Sequence, residues 1–282
     1  MRLRFAYLVF LAFVAAKPAV AQQRPLVTED PEPIGAGRVL IEGGFDYAHD
    51  QEYPASGLQG NLWRIPTLGI SVGISSIAEF QIDGGLYDAL AISKRDPNAP
   101  LASSLTNAGT MAHDVEDIVV ATKIRLLAET MRRPALGVRF ATKLPNASNE
   151  SGLGLDTTDF FMSLLAAKTV QSVRVVGNVG FAILPDPIVG NRQNDLLTYG
   201  VSAARATTQR AEIVAEINGR VSTRSGVAFP GTESRGTLKL GGRYTRGPVR
   251  FDAGLLFGLT SIDPTVGLTA GFTYVFNAFT LP

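Results

Sequence analysis

Apolar and polar residues alternate along most of the chain. From residue 249 the sequence runs VRFDAGLLFGL, and from residue 265 it runs TVGLTAGFTYVF. Side chains on a β-strand point to opposite faces in turn, so each of these segments has one apolar face and one polar face. Apolar residues at every second position, instead of every third or fourth, predict strands and not amphipathic helices.

Twelve segments of the chain show this alternation. Strands in soluble proteins usually have about five or six residues, whereas strands that cross a membrane need about nine to eleven. A soluble sandwich would bury the apolar faces, whereas an outer-membrane barrel would turn them to lipid. The length of the segments favours the barrel. The predicted strands are 38–47, 61–74, 78–87, 115–127, 135–144, 158–169, 173–183, 196–204, 211–221, 237–245, 249–259 and 265–276.

The connections between these segments alternate in length. The long ones are 48–60, 88–114, 145–157, 184–195 and 222–236, and the short ones are 75–77, 128–134, 170–172, 205–210 and 246–248. Only 260–264 breaks the pattern, as a short connection in a long position. Bacterial outer-membrane barrels have an even number of strands, long extracellular loops and short periplasmic turns. The sequence therefore predicts an all-β, antiparallel transmembrane β-barrel of about twelve strands, located in the outer membrane of a Gram-negative cell.

The first residues have the pattern of a secretory signal. Arg2 and Arg4 precede an apolar run at 5–16, and Ala-Val-Ala at 19–21 supplies the small residues of a cleavage site. The apolar run is too short for a spanning helix, which needs about 20 residues. We expect residues 1–21 to be a signal peptide that is removed before Gln22.

The remainder divides into three parts. Residues 22–37 are rich in proline and acid and form a short N-terminal segment, either a periplasmic tail or a plug inside the lumen. Residues 38–276 form the barrel, and residues 277–282 form a C-terminal tail.

The composition argues against several kinds of functional site. The chain has no cysteine, two histidines and a formal net charge of +1, so we expect no metal site, no cofactor and no binding of nucleic acid. The segment Gly-Ile-Ser-Val-Gly at 69–73 matches the nucleophile elbow of hydrolases, but that motif requires a helix after the strand. Here it lies within an alternating segment. We therefore expect no catalytic residue and no enzyme.

The polar face of each strand holds the charged residues. A cation facing lipid at mid-membrane costs about 2–4 kcal/mol, so these side chains are expected to line the lumen. One hypothesis places an acidic wall (Glu42, Asp46, Glu79, Asp83) across the pore from a basic wall (Lys123, Arg125, Arg139, Lys143); in the other, these charges pair with one another. The candidate lumen-lining residues are Glu42, Asp46, Glu79, Asp83, Lys123, Arg125, Arg139, Lys143, Glu212, Glu216, Arg220, Lys239 and Arg243.

Two resemblances to known proteins follow from short motifs. The segment GFTYVF at 271–276 resembles the final-strand signal that the barrel-assembly machinery binds, although six residues follow it. The segments RPLVTED at 24–30, LPD at 184–186, DLLTYG at 195–200 and EING at 216–219, together with Asn178, resemble the outer-membrane barrels of the MetA-pathway of phenol degradation family.

The family resemblance implies a function. It implies a transporter-like channel in outer-membrane lipid for passive uptake of small organic solutes, among them aromatic ones. The alternative is a barrel with a closed lumen that acts through its extracellular loops as a surface structural or binding protein.

Overall fold

The structure, a computed structural model, describes residues 24–280, so the predicted signal peptide lies outside the described residues. Within that range no helix is long and apolar enough to cross a membrane. Among the described residues, one 3-10 helix, Ala102–Ser104, lies between strands and connections. The strands are β1 (Arg38–Tyr53), β2 (Leu58–Gly73), β3 (Ala78–Gly85), β4 (Asp88–Arg95), β5 (Met111–Asp114), β6 (Val119–Leu127), β7 (Ala135–Lys143), β8 (Asp159–Val170), β9 (Val173–Pro185), β10 (Gln193–Ala206), β11 (Ala211–Ser222), β12 (Arg235–Arg246), β13 (Val249–Gly258) and β14 (Val266–Asn277).

All fourteen strands belong to one sheet, which closes because β1 pairs with both β14 and β2. β4 continues β3, since both pair with β2 in a single register, and β5 leads into β6 in the same way. Counted as continuous strands, the barrel has twelve, all antiparallel to their neighbours. This confirms the predicted fold class.

A bulge in β2 keeps the apolar side chains on the outside. Residues 65 and 66 together oppose Phe45 of β1, which shifts the register between the two strands. Trp63 before the bulge and Ile70 after it are therefore both exposed, although one position is odd and the other even. Pro66 cannot donate to the β ladder, and a bulge is one of the few places in a sheet that accommodate it. The Gly69–Gly73 motif lies in this strand, as predicted.

The outer surface of the barrel is apolar. In a closed barrel every strand has a hydrogen-bonded neighbour on both sides, and an apolar exterior can face the lipid chains. This is therefore a membrane-spanning barrel. The soluble-sandwich alternative is excluded, because its apolar faces would be buried. The exposed outward side chains include Trp63, Ile70, Phe80, Phe140, Phe160, Leu164, Val179, Phe181, Val201, Ile217, Leu240, Phe251, Leu255 and Phe272.

Two predicted loops are wrong. The segment 48–60 is mostly strand, because β1 runs to Tyr53 and β2 begins at Leu58. The segment 88–114 contains β4 and β5, which leaves 96–110 as the connection. The extra strand length has a packing reason. Leu58 and Leu62 of β2 form a buried cluster with Leu90 of β4 and Ala112 of β5, so the sheet continues above the level at which membrane spans would end.

The barrel interior as candidate functional site

The N-terminal segment lies inside the barrel, along its wall. We call the end where β1 begins and β14 ends the periplasmic end. Arg24 donates to Thr67 of β2 and to Thr269 of β14, both at 2.9 Å, and Lys239 of β12 lies 3.4 Å from the carbonyl of Pro25. The segment therefore starts its path where β14, β1 and β2 meet the lumen.

Further along the segment, polar side chains of the barrel strands form hydrogen bonds with its backbone. Glu216 of β11 accepts the backbone N–H of Val27 at 2.9 Å and that of Thr28 at 2.6 Å. Asn178 of β9 accepts the N–H of Glu29 at 2.7 Å and donates to its carbonyl at 2.8 Å. Such bonds satisfy polar groups that would otherwise be costly to bury. Glu216 thus anchors the segment.

A buried ion-pair cluster holds the middle of the segment. The ammonium of Lys123, which is 1% exposed, lies 3.2 Å from Glu29 and 2.9 Å from Glu79. Arg139 is 3.0 Å from the other oxygen of Glu29, and Glu79 also accepts the N–H of Ile34 at 2.6 Å. The two carboxylates and two cations are thus mutually satisfied.

The last part of the segment follows the periplasmic end back to β1. Asp30 pairs with Arg174 of β9, whose Nη2 lies 2.7 Å from Oδ1, and Glu32 pairs with Arg125 of β6. The N–H of Gly37 then donates to the carbonyl of Gly73 at 2.8 Å. In order, the segment contacts β14, β12, β11, β9, β6 and β3, and so circles the lumen.

The predicted acidic and basic walls do not face each other. β3 and β6 are neighbours, and so are β6 and β7. Lys123 consequently pairs with Glu79, and Arg139 lies 3.6 Å from Asp83. Parity along a strand indicates which face a side chain occupies, but not where its strand stands around the barrel. For these residues the transverse-field hypothesis is wrong, and the charges pair with one another.

The other candidate residues also lie inside the barrel. Glu42 accepts the Thr273 hydroxyl at 2.9 Å, Asp46 lies 3.8 Å from Arg24, and Glu212 lies 3.7 Å from Arg243. Lys143 is shared by Asp117 at 2.8 Å and Asp159 at 3.1 Å. Arg220 and Lys239 border the cavity described next.

A cavity of about 750 Å³ occupies the extracellular half of the lumen. Residues 24–29 of the N-terminal segment form its floor. Asp83, Glu116 and Asp117 lie on one side, and Arg220, Arg235 and Lys239 lie on the other. The carboxylates belong to β3 and to the link between β5 and β6, third and fourth in the ring of twelve, and the cations to β11 and β12, ninth and tenth. These two sets are therefore diametrically opposed.

Two extracellular loops pack against the wall at the extracellular end of the barrel. Leu105 of the 96–110 connection and Leu153 of the 144–158 connection pack against the Leu58 cluster. The Ser56 hydroxyl donates to the carbonyl of Gly152 at 2.7 Å, and the N–H of Thr106 donates to that of Glu150 at 3.1 Å. The loops fold inward over the β1–β5 side.

Several interior residues were missed at the level of sequence. Arg235 was assigned to the 222–236 loop, but β12 begins with it. Glu29, Asp30 and Glu32 precede the first strand, so no alternation marks them. Their density among prolines was the available signal, and it left the tail and the plug equally open.

These features define a class of protein: a twelve-stranded outer-membrane β-barrel whose N-terminal segment lines its own lumen. The fold is similar to that of the COG4313 outer membrane channel from Pseudomonas putida F1, with a TM-score of 0.62 and 12% identity over 88% of this chain and 98% of that one. It is also similar to the NanC porin, with a TM-score of 0.50 and 6% identity over 84% and 98% of the chains. No protein-family model and no curated protein matches the sequence, so the family named from its motifs stays a prediction.

Proposed function

We propose that this protein is an outer-membrane channel for passive uptake of small organic solutes, including aromatic ones. The observation that carries the proposal is the lumenal cavity of about 750 Å³ within a closed barrel. Its volume lies in the range of small-molecule sites, about 300–1,000 Å³. Phe161 and Leu165 line it together with charged groups, which suits molecules with an apolar body and a polar group. Similarity in fold to a solved outer membrane channel supports the same function.

The N-terminal segment sets the width of the path in this proposal. The segment follows the wall from strand to strand, so it narrows the lumen near its periplasmic end. A solute would enter between the extracellular loops, occupy the cavity and leave past residues 24–37. The buried ion pairs of Lys123 and Arg139 keep this constriction in place.

A barrel acting through its loops is the second candidate. The observation that favours it is the filled periplasmic half, where Lys123 and Glu79 are each 1% exposed. If this filling closes the lumen completely, function moves to the extracellular loops.

Single-channel conductance in a planar bilayer distinguishes the two. The protein beginning at Gln22 is refolded, and folding is checked by its heat-dependent mobility on gels. The channel proposal expects discrete conductance steps with measurable ion selectivity. A folded barrel that gives no steps at any voltage would contradict it and favour the loop-based function.

A further inference from the structure

Three cations line one side of the cavity, and we call them the basic wall: Arg220 of β11, and Arg235 and Lys239 of β12. Arg220 donates only to backbone carbonyls, through Nε to Glu233 at 3.0 Å and through Nη2 to Gly231 at 2.8 Å. Within residues 24–280, its Nη1 has no hydrogen-bond partner and no carboxylate lies within ion-pair distance.

The other two members have few carboxylates within reach. Lys239 makes one hydrogen bond among the described residues, to the Pro25 carbonyl at 3.4 Å, and no ion pair. Its cross-strand partner on β11 is Glu216, whose carboxylate accepts the backbone N–H groups of Val27 and Thr28. Arg235 donates to the carbonyls of Ile262 and Glu52, both at 3.1 Å. Arg235 also forms an ion pair with Asp263, whose Oδ1 lies 3.8 Å from its Nη1, while Oδ2 of Asp263 accepts three other hydrogen bonds.

The register places two of these charges directly opposite each other. Arg220 and Arg235 are cross-strand partners in the β11–β12 ladder. Like charges in that position are destabilising unless something of opposite sign compensates them. Asp263 compensates Arg235 from 3.8 Å, whereas the described part of the chain brings no carboxylate within ion-pair distance of Arg220.

The opposite side of the cavity differs, because each of its carboxylates has a basic partner. The ion pairs are Arg139 with Asp83 (3.6 Å), Arg64 with Glu116 (3.8 Å) and Lys143 with Asp117 (2.8 Å). An incoming cation would have to compete with these residues. Arg220 and Lys239, which have no ion pair among the described residues, therefore lie on the side of the cavity where an incoming anion has fewer carboxylates to compete with.

The surroundings of the basic wall indicate the rest of the ligand. Thr198, Asn218 and Thr237 lie beside the three cations on the inner face of β10, β11 and β12 and also line the cavity. Leu256 of β13 is the cross-strand partner of Lys239, and it borders the same space. Hydrogen-bond donors and an apolar surface are therefore adjacent.

We propose that the basic wall binds the carboxylate of a small organic acid, whose apolar body lies against Leu256. This inference deepens the proposed uptake function by naming the solute class. Carboxylates are well matched to the site, because guanidinium groups bind them through paired N–H donors. A neutral molecule of the same size would leave Arg220 and Lys239 without an ion pair.

The test is calorimetric titration of the refolded protein, beginning at Gln22, in detergent micelles. The probes are benzoate, benzyl alcohol as its neutral counterpart, and acetate as the carboxylate without an apolar body. We expect saturable benzoate binding at least about tenfold tighter than that of either other probe, as loss of a hydrogen bond to a charged group implies. Equal binding of benzoate and benzyl alcohol, or no benzoate binding, would overturn the proposal, and so would acetate binding as tightly as benzoate.

Variants locate the site. Arg220→Met and Lys239→Met should each weaken benzoate binding about tenfold or more, by the same argument. Lys143→Met is the matched control: it removes another interior lysine, but one already shared by Asp117 and Asp159, and it should leave benzoate affinity unchanged. Unchanged affinity in both wall variants would overturn the proposal. If neither variant folds, the comparison of the three probes on the unmodified protein still decides the question.

The two proposals fail separately. Benzoate binding with no conductance in bilayers would support the anion site and contradict the channel. Conductance without benzoate binding would support the channel and overturn the anion site.

Discussion

The two halves of the lumen use the same kinds of side chain in different ways. In the periplasmic half, the cations meet carboxylates of the N-terminal segment, as when Lys123 lies between Glu29 and Glu79. In the extracellular half, Lys239 and Arg220 donate hydrogen bonds to backbone carbonyls and form no ion pair among the described residues. Both sets of cations face inward for the same reason, the cost of facing lipid. The comparison shows that pairing, and not position on the inner face, separates structural charges from those available to a ligand.

Removing the N-terminal segment should have the largest effect. A protein that begins at Arg38 loses the groups that pair with Lys123, Arg125 and Arg174 and uncovers the periplasmic half of the lumen. We expect single-channel conductance to rise several-fold and unfolding to require less urea. Conductance equal to that of the protein beginning at Gln22 would show that the segment does not set the width of the path.

Breaking the buried cluster should be the next largest effect. Lys123→Met leaves Glu29 and Glu79 with a missing partner, and loss of one member of a buried ion pair costs about 3–5 kcal/mol. The free energy of unfolding in lipid vesicles measures this change. Lys168→Met is the control, because that lysine is 31% exposed beside Glu129 at the periplasmic rim, and such pairs contribute about 0–1 kcal/mol. Similar losses of unfolding free energy in the two variants would contradict a structural role for the buried ion pairs of the periplasmic half.

Neutralising a charge of the basic wall should alter selectivity with little effect on folding. Lys239→Gln removes a cation that has no ion pair among residues 24–280, so the ratio of cation to anion permeability should rise about twofold or more, in line with the counter-ion enrichment of charged clefts. Reversal potentials under a salt gradient measure the ratio. Arg139→Gln is the counterpart from the paired side, and we expect it to impair folding because Glu29 and Asp83 then lose a basic partner. Unchanged selectivity in Lys239→Gln would contradict an electrostatic difference between the two sides of the cavity.

The smallest expected effect lies outside the membrane, in the loop after β9. Burial raises the pKa of Asp186, but hydrogen bonds from Ile188 and Val189 and the Arg192 ion pair outweigh it and hold the pKa below its usual value. A lowered pKa means that this stabilisation is complete above the unfolded value of about 3.9 and is lost as pH falls through the folded value. Proteolysis of the loop should therefore increase at strongly acidic pH, by a factor corresponding to under about 1 kcal/mol.

A matched variant tests the pH effect. Asp186→Asn removes the titrating group, so cleavage of its loop should change little across the same acidic range. The same pH dependence in the variant would assign the effect to another group.

The fold was largely predictable, and the site only in part. All twelve alternating segments became strands, because the bilayer imposes the same apolar face on every span and a hydrogen-bonded partner on each side. The loop lengths were less predictable. Residues 48–60 look like a loop, yet they form strand because Leu58 and Leu62 find partners on β4 and β5, which are distant in sequence.

What the sequence by itself determined is the alternation, and with it the barrel, its inward charges and its apolar exterior. These depend on each residue's own cost of meeting lipid, which no distant partner changes. The tertiary structure alone decided which charges meet. Closure of the ring sets β3 and β6 side by side and places both opposite β11 and β12, and the path of residues 24–37 assigns acids to some cations and leaves others free of them. Coulomb interactions depend on distances through space, and these exist only once the barrel has closed.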